Sequence, residues 1–420
     1  MYIPAWPVLN PKSVFKRAGA PAPFPLASSS SAYFYVARNG IYHLMKSLVS
    51  GVGVPAGSRE AAPAAYRSDP DGGPDAQSSL GVPPNSKEAA PAAYRSIVLV
   101  PDYHHGNEIY ALKAAGAKLR YYPVKKNLDV DLDALADLCD LEPKPLALYL
   151  THFIGWPQPM NDIQSLCKRK NVILIEDCAL SFLSEFEGRP LGTFGAYAVF
   201  CLYKTVPVPN GGVLVANNAV NPGATSVRPC SAVSVTGPSI DLVLRWIRCR
   251  NEFFGRALLT AKRAIGRTLT GANVRRVPIG DTGFDISNVN AGMSPICHTL
   301  LRRFGYEEIK ERRRRNFRIV EDLLRGNVAL VDKTLNEGVC PLFFPLLVKD
   351  KQIAATALAA RGVETIEFWN SGDPQSHQPG SSAEFLRRHL LELPIHQDVT
   401  PEAAEYAAKQ IIKLGVGLAA

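Results

Sequence analysis

The stretch VFCLYKTVPVPNGGVLV, residues 199–215, joins two apolar runs through a short polar loop. Both runs have the length and the β-branched content of buried strands. Lys204 stands directly after the first run, and two prolines and the pair Gly211–Gly212 separate it from the second. A lysine at this position is either a solvated residue at a strand end or a reactive amine, and the rest of the chain decides between the two.

The same alternation of apolar runs and helical patterns begins near residue 97. Near-continuous apolar strands separated by helices are typical of a mostly parallel sheet that is covered on both faces. We therefore predict a large α/β/α domain of three layers, whose ligands bind at the carboxyl ends of the strands. The predicted strands are 97–101, 119–124, 146–150, 172–176, 197–203 and 212–216.

The pattern becomes helical after residue 236. Two long helices are predicted, at 239–265 and 294–327, and a smaller α+β unit follows them. This unit has predicted strands at 343–348 and 363–369, and a helix that begins at Thr400–Pro401, with threonine as the cap and proline in the first turn. The predicted division is an N-terminal arm (1–32), a large domain (33–330) and a small C-terminal domain (331–420).

A duplicated segment interrupts the large domain. SREAAPAAYRS, residues 58–68, recurs as SKEAAPAAYRS, residues 86–96, with a Gly/Pro/Asp-rich spacer between the copies. One pair of copies is too few for a solenoid, which needs several units to bury a core. The favoured interpretation is a surface loop insertion over 51–96 without a function of its own, because lengthening a loop costs little additional entropy.

Composition narrows the class of protein only in part. The chain has 420 residues and a formal net charge of +9, which suits nucleic acid, an anionic membrane or phosphorylated small molecules equally well. No nucleic-acid-binding motif accompanies the charge, and no apolar run has the length of a membrane span. The eight cysteines form no C-x-x-C pair, which argues against a metal cage and a disulfide framework. We expect a reduced, cytoplasmic protein without bound metal and without contact to a membrane.

The run VILIEDCALS, residues 172–181, ends another predicted strand on two carboxylates, Glu176 and Asp177. A helix cap is one interpretation, because aspartate is a good capping residue. A site is the other, because Lys204 closes a second predicted strand and both side chains can project from one edge of the sheet. An amine and a carboxylate facing one cleft fit pyridoxal 5'-phosphate (PLP), which needs a lysine for its Schiff base and a carboxylate beside its ring nitrogen. Since burial keeps a lysine available as the neutral amine, we predict that Lys204 is reactive.

Further motifs occur in a fixed order along the chain. Together they resemble the DegT/StrS-type family of PLP-dependent sugar aminotransferases, which have the type I aminotransferase fold. Any one of the motifs is weak, whereas their shared order is fairly specific. The motifs are VPDYHHGNEIYALKAAGAKLRYYPV (100–124), HFIGWPQPMNDI (152–163), EDCA (176–179), NVNAGMS (288–294) and LELPIHQDVTPE (391–402).

The resemblance implies roles for individual residues. Lys204 would be the Schiff-base lysine and proton carrier, and Asp177 would bind the pyridinium nitrogen. His105 falls where the family places an aromatic ring that stacks on the cofactor. Arg38 and Asn39 fall where a helix start meets the cofactor phosphate, which is a favourable anion site.

Two positions depart from the family pattern. Ser181 follows Leu180, at the place where the family commonly has Gln or His near the phenolic oxygen of the cofactor. Cys201 stands where a phosphate-binding serine is usual.

Asn290 would reach the phosphate of the neighbouring subunit, which implies a homodimer.

The resemblance implies an aminotransferase. It would move an amino group, from glutamate as the expected donor, to a keto-sugar, nucleotide-linked or free, or to a related small keto compound. A PLP-dependent lyase or aldol-type enzyme, and a non-catalytic dimeric relative, stay open as alternatives.

Four further features have local interpretations. His152 is interpreted as a structural residue at a strand end, with a role toward the substrate as the alternative. His396 is interpreted as the partner of a local turn or as a residue of the cleft. The basic run 311–318 is interpreted as a solvated helix face, with the grip of a nucleotide diphosphate as the alternative. The basic, apolar stretch 245–267 is expected to pack against the sheet rather than to lie on a membrane.

Overall fold

The computed structural model describes residues 1–15, 21–51, 96–217, 227–270, 283–367 and 369–419. Nearly all of the duplicated insertion at 51–96 lies outside these residues.

A nine-stranded sheet forms the centre of the large domain. Five neighbouring strands, in the order β8-β5-β4-β2-β3, run parallel, while β9 runs antiparallel to β8 and to β1. Two very short strands, β10 and β11, extend the sheet beyond β1. The strands are β1 (Ser31–Phe34), β2 (Ile97–Pro101), β3 (Lys118–Tyr122), β4 (Ala147–Thr151), β5 (Ile173–Asp177), β8 (Tyr197–Cys201), β9 (Gly212–Ala216), β10 (Arg228–Pro229) and β11 (Ala291–Gly292). A separate small hairpin, β6 (Glu185–Phe186) with β7 (Arg189–Pro190), lies between β5 and β8.

Helices cover both faces of this sheet. Alternate residues of β2 belong to different clusters, since Val98 packs in one apolar layer and Leu99 in the other. The first layer holds α1 (Ala37–Val49) and α2 (Asn107–Ala114), and the second holds α3 (Leu132–Asp140) and α4 (Met160–Lys170). Burial of strands on both faces explains their near-continuous apolar sequence. The predicted three-layer, mostly parallel α/β fold is confirmed.

The two long helices predicted after residue 236 are each broken into two. The first consists of α5 (Ala232–Arg250) and α6 (Glu252–Thr270), with an extended Asn251 between them whose side chain accepts a hydrogen bond from the amide of Phe254. A capping asparagine of this kind starts a new helix. The second consists of α7 (Pro295–Leu301) and α8 (Tyr306–Leu324). The helices α5 and α6 pack mainly on each other. The prediction that the stretch 245–267 packs against the sheet is therefore wrong.

The C-terminal part is built on the antiparallel pair β12 (Phe344–Leu347) and β13 (Leu390–Leu393). It also contains α9 (Lys351–Ala360), α10 (Ser382–His389) and α11 (Pro401–Leu414), and α11 begins at the Thr400 cap as predicted. The strand predicted at 363–369 is wrong for the described residues of this range, which form two isolated bridges, Val363 with Ile3 and Ile366 with Glu392. The proposed division at 330 stays a prediction.

The N-terminal arm is tied to this C-terminal part. Ile3 donates to the carbonyl of Gly362 at 2.8 Å, and the amide of Val8 donates to the carboxylate of Asp398 at 3.0 Å. His396 is buried and donates from Nε2 to the carbonyl of Pro4 at 2.9 Å. Its Nδ1 accepts from the amide of Asp398, so the interpretation of His396 as a turn partner is confirmed.

None of the described helices combines the length and the apolar content that crossing a bilayer would require.

Candidate active site

The candidate site lies where β5 and β8 end. Asp177 is the last residue of β5, and Lys204 closes the short 3-10 turn that follows β8. Because the two strands are parallel neighbours, their carboxyl ends bring both side chains to one cavity. Five of the eight predicted site residues line this cavity, namely Arg38, His105, Asp177, Cys201 and Lys204.

Asp177 is a buried carboxylate with few partners. One of its oxygens accepts from the amide of Ala179 at 3.0 Å, and the hydroxyl of Thr151 lies 3.5 Å from the other. No helix follows, so the carboxylate closes a local turn and the helix-cap interpretation is wrong. Burial and the neighbouring carboxylate of Glu108 raise the pKa of Asp177 to about 6, while the charge of Lys204 acts in the opposite direction.

Lys204 is half-buried at the floor of the cavity. Its positive charge also lowers the pKa of the Cys201 thiol, although burial is the larger effect and leaves that pKa raised. Cys201 is therefore a neutral thiol beside the lysine at pH 7, able to donate only a weak hydrogen bond.

The start of α1 forms one wall of the cavity. Arg38 is buried there, and no side chain caps the amides of the first turn at Val36. Uncapped amides at a helix start, together with a guanidinium, form a favourable environment for a phosphate. Gly212 permits this arrangement, because a Cβ atom at that position would lie 2.3 Å from the backbone nitrogen of Ala37.

His105 contributes its ring from the loop that precedes α2. It is half-buried, and its amide donates to the carboxylate of Glu108 at 2.9 Å. The preceding residue, His104, points away from the cavity. Its Nδ1 donates to the carbonyl of Pro101, and its Nε2 accepts from the amide of Asp373, so burial holds the pKa of this neutral imidazole low, at about 4.

Three predicted site residues do not line the cavity. Asn39 is buried and donates to the carbonyl of Asn288 at 2.9 Å, and Ser181 is buried behind Leu180. Asn290 is exposed, and its carbonyl accepts from the amide of Arg228. An exposed position is compatible with the predicted reach toward a second subunit, which stays a prediction.

Four other residues of the cavity were not predicted as site residues. Glu108 stands three residues after His105, and its only signal was its position in the first turn of a helix. Tyr149 lies inside β4, and burial raises the pKa of its phenol well above the usual range. Trp369 comes from the C-terminal part, far from the sheet in sequence, and Tyr203 precedes the lysine.

A buried arginine holds the walls of the cavity together. Arg387 of α10 donates to the carbonyls of Asp102 at 2.8 Å and His104 at 3.0 Å. His104 directly precedes His105, the residue predicted to stack on the cofactor. It also donates to the carbonyls of Trp369 at 3.1 Å and Ser371 at 3.0 Å. The loop that follows β2 and the segment around Trp369 are therefore both hydrogen-bonded to the side chain of Arg387.

The neighbour of Asp177 has a different environment. Glu176 is fully buried and accepts from the amides of Gly192 at 2.8 Å, Phe194 at 2.7 Å and Gly195 at 2.6 Å. Its fourth donor is Nε2 of His152 at 3.1 Å, whose Nδ1 accepts from the amide of Gln158. The interpretation of His152 as a structural residue is confirmed.

Glu176, His152 and Cys178 also form a compact group whose potential ligand atoms lie within 4.8 Å of one another. The carboxylate of Glu176 already accepts four hydrogen bonds, one from His152 and three from the loop that follows β7.

The basic run 311–318 is not a uniformly solvated face. Arg312 is exposed and pairs with Glu308, but Arg313 is only 1% exposed. Arg313 lies on the same face of α8 as the buried Phe317 and Val320, at spacings of four and seven residues. The solvated interpretation is therefore wrong for Arg313, whose Nε, Nη1 and Nη2 all donate to protein groups.

Comparisons with known proteins agree with the predicted family resemblance and with the fold. The sequence model of the DegT/DnrJ/EryC1/StrS aminotransferase family matches residues 97–225, which include Asp177 and Lys204. GDP-perosamine synthase of Escherichia coli O157:H7 is 32% identical over 127 residues, which are 29% of this chain and 34% of that protein. The chain thus matches about a third of the length of this curated relative.

Solved structures share the fold over a longer part of the chain. Helicobacter pylori PseC, described as an aminotransferase involved in the biosynthesis of pseudoaminic acid, has a TM-score of 0.62 at 13% identity and is covered over 98% of both chains. An E. coli GDP-4-keto-6-deoxy-D-mannose-3-dehydratase with bound hydrated PLP has a TM-score of 0.55 at 13% identity, over 90% of this chain and 87% of that one. The resemblance to the DegT/StrS-type aminotransferase family is therefore confirmed, in sequence over residues 97–225 and in fold over most of the chain.

Proposed function

We propose that this protein is a PLP-dependent aminotransferase. The observation that carries the proposal is the position of Lys204 and Asp177 at the ends of neighbouring parallel strands, on one cavity. The family match, the PLP-containing structure of similar fold and the name of the GDP-perosamine synthase relative support it. Bound PLP supplies the electron sink on which amino groups are exchanged.

The residues of the cavity fit this cofactor in charge and in chemical type. Arg38 and the uncapped first turn of α1 would hold the phosphate, and His105 would lie against the ring. Asp177 would accept a hydrogen bond from the ring nitrogen and keep the proton there. With a pKa of about 6, Asp177 is mostly ionised at pH 7, and a positive partner would ionise it further.

Lys204 would attach the cofactor and carry protons at Nζ. Nucleophilic attack requires the neutral amine. Trp369 and Tyr149 also line the cavity and would contribute apolar surface beside this amine. We propose glutamate as the amino donor, a keto-sugar or its nucleotide-linked form as the acceptor, and a homodimer in which Asn290 completes the partner's phosphate site.

The experiment is an absorbance spectrum of the purified protein, followed by borohydride reduction and peptide mass spectrometry. We expect a yellow protein, a phosphopyridoxyl group on Lys204, and loss of the visible band with release of pyridoxamine phosphate on addition of glutamate. Lys204→Ala should lose the covalent label, while the exposed Lys144→Ala should keep it.

Colourless protein that takes up no PLP would refute the proposal in favour of a non-catalytic relative. A labelled lysine without pyridoxamine phosphate after any amino donor would indicate a PLP-dependent lyase or aldol-type enzyme instead.

A further inference from the structure

The turn that carries Lys204 is held from behind by a buried arginine. Arg313 of α8 donates from Nη2 to the carbonyl of Thr205, the residue directly after the lysine, at 2.9 Å. Thr205 is itself buried, and its amide donates to the carbonyl of Leu202, which closes the 3-10 turn. The guanidinium is therefore one peptide group away from the lysine.

A second side chain meets the same carbonyl. Gln397, from the segment between β13 and α11, donates from Nε2 to the Thr205 carbonyl at 3.2 Å. Its Oε1 accepts from Nε of Arg313 at 3.0 Å, so the two side chains are also bonded to each other. A carbonyl with two lone pairs that accepts two donors in fixed directions cannot rotate without breaking one of the bonds.

The hydrogen-bond partners of Arg313 are neutral groups, and the carboxylate of Asp398 acts on its charge only from a distance. Among the residues that the structure describes, no carboxylate lies within ion-pair distance of this guanidinium. Its other donors go to the carbonyls of Leu342 at 2.6 Å and Pro341 at 3.3 Å. Burying a cation on neutral partners is unfavourable compared with an apolar side chain of similar size, so packing alone does not explain an arginine here.

We propose that Arg313, together with Gln397, is a positioning residue that fixes the Lys204 turn so that the amine faces Asp177 across the cavity. This inference rests on the proposed function. The guanidinium fork is suited to the task, because it presents several donors in one rigid plane. It joins the turn to α8 and to the Pro341–Leu342 segment of the C-terminal part.

Arg313→Lys is the test, and Arg314→Lys is its matched control. Arg314 is the next residue of the same helix and also donates to two carbonyls, those of Asn336 at 2.5 Å and Val339 at 2.7 Å, but it does not reach the lysine turn. Lysine keeps the charge at both positions and loses the planar fork. A similar loss of thermal stability in both variants would set the baseline for a purely structural effect.

In the holoenzyme we expect Arg313→Lys to lower kcat by about 10- to 100-fold, the size of effect that misplacing a reacting group produces. The KM for the amino donor should change less than about threefold, and the pH at which the visible band of bound PLP titrates should shift. Gln397→Leu should show the same changes to a smaller degree. Equal kcat and equal spectra in the Arg313→Lys and Arg314→Lys proteins would overturn the inference.

Hydrogen exchange separates this inference from the proposed function. Amides in the peptide that contains Leu202 and Thr205 should exchange faster in Arg313→Lys than in Arg314→Lys, in protein without added cofactor. Unchanged exchange there would overturn the anchoring. Wild-type protein that takes up no PLP would refute the proposed function, while the exchange data would still decide whether Arg313 holds the turn.

Discussion

Replacing Glu176 by glutamine should destabilise the protein and leave the candidate site in place. The glutamine side chain presents one oxygen and one NH2 group where the glutamate presents two oxygens. In one orientation the NH2 group faces the amides of Phe194 and Gly195. In the other it faces the amide of Gly192 and Nε2 of His152, so two buried donors lose their acceptor either way.

The magnitude follows from these four hydrogen bonds. Each buried donor left without an acceptor costs about 1–3 kcal/mol, and the bonds that remain lose their charge assistance. Relief from burying a carboxylate offsets part of the loss, so we expect a net decrease of about 2–4 kcal/mol in the free energy of unfolding. For a chain of 420 residues this corresponds to a fall in Tm of about 2–5 °C.

The assay is urea unfolding followed by circular dichroism, with PLP absorbance measured on the same samples. Glu187→Gln is the matched control, because Glu187 is exposed and accepts one hydrogen bond, from Asn161. The control should lie within about 0.5 kcal/mol of the wild type. A Glu176→Gln protein as stable as the wild type, or one that loses its PLP band at unchanged stability, would refute the reasoning.

Three further outcomes are expected. The pKa of Asp177 rises from 3.8 to about 6 on folding, so the fold favours the protonated acid. This stabilisation is present below pH 4 and is lost as the pH rises through 6. Without cofactor, Asp177→Asn should therefore be more stable than the wild type at pH 7 by up to about 3 kcal/mol, while it should bind PLP poorly. Gly212→Ala should lower Tm and weaken PLP binding at least tenfold, as titration would show, since its Cβ lies 2.3 Å from the nitrogen of Ala37. Arg387→Met should weaken PLP binding in the same titration, whereas exposed Arg388→Met should not.

The parts of the site that the sequence predicted are those set by strand ends. Lys204 and Asp177 each follow an apolar run, and the geometry of a parallel sheet places such residues at one edge. The helix breaks were missed because an apolar, basic pattern continues through Asn251, and only its capping hydrogen bond reveals the start of a new helix.

The residues that hold the site together could not be predicted in the same way. Trp369 lines the cavity and Arg387 bonds to the backbone of its walls, both from the C-terminal part through tertiary packing, which leaves no local pattern in the sequence. Arg313 did leave a signal. It stands on the buried stripe of α8, four residues before Phe317, but a run of four arginines is ordinarily solvated and hides the one that is not.

The tie between the N-terminal arm and the C-terminal part has a consequence for the order of folding. Ile3 pairs beside Val363, and Val8 bonds to Asp398, so these bonds close loops of more than 350 residues. At synthesis rates of about 5–20 residues per second, the arm waits roughly 20–70 s on the ribosome before its partners exist. The bonds of Ile3 and Val8 can therefore form only after the sheet has been synthesised, so the first residues of the arm join the fold late.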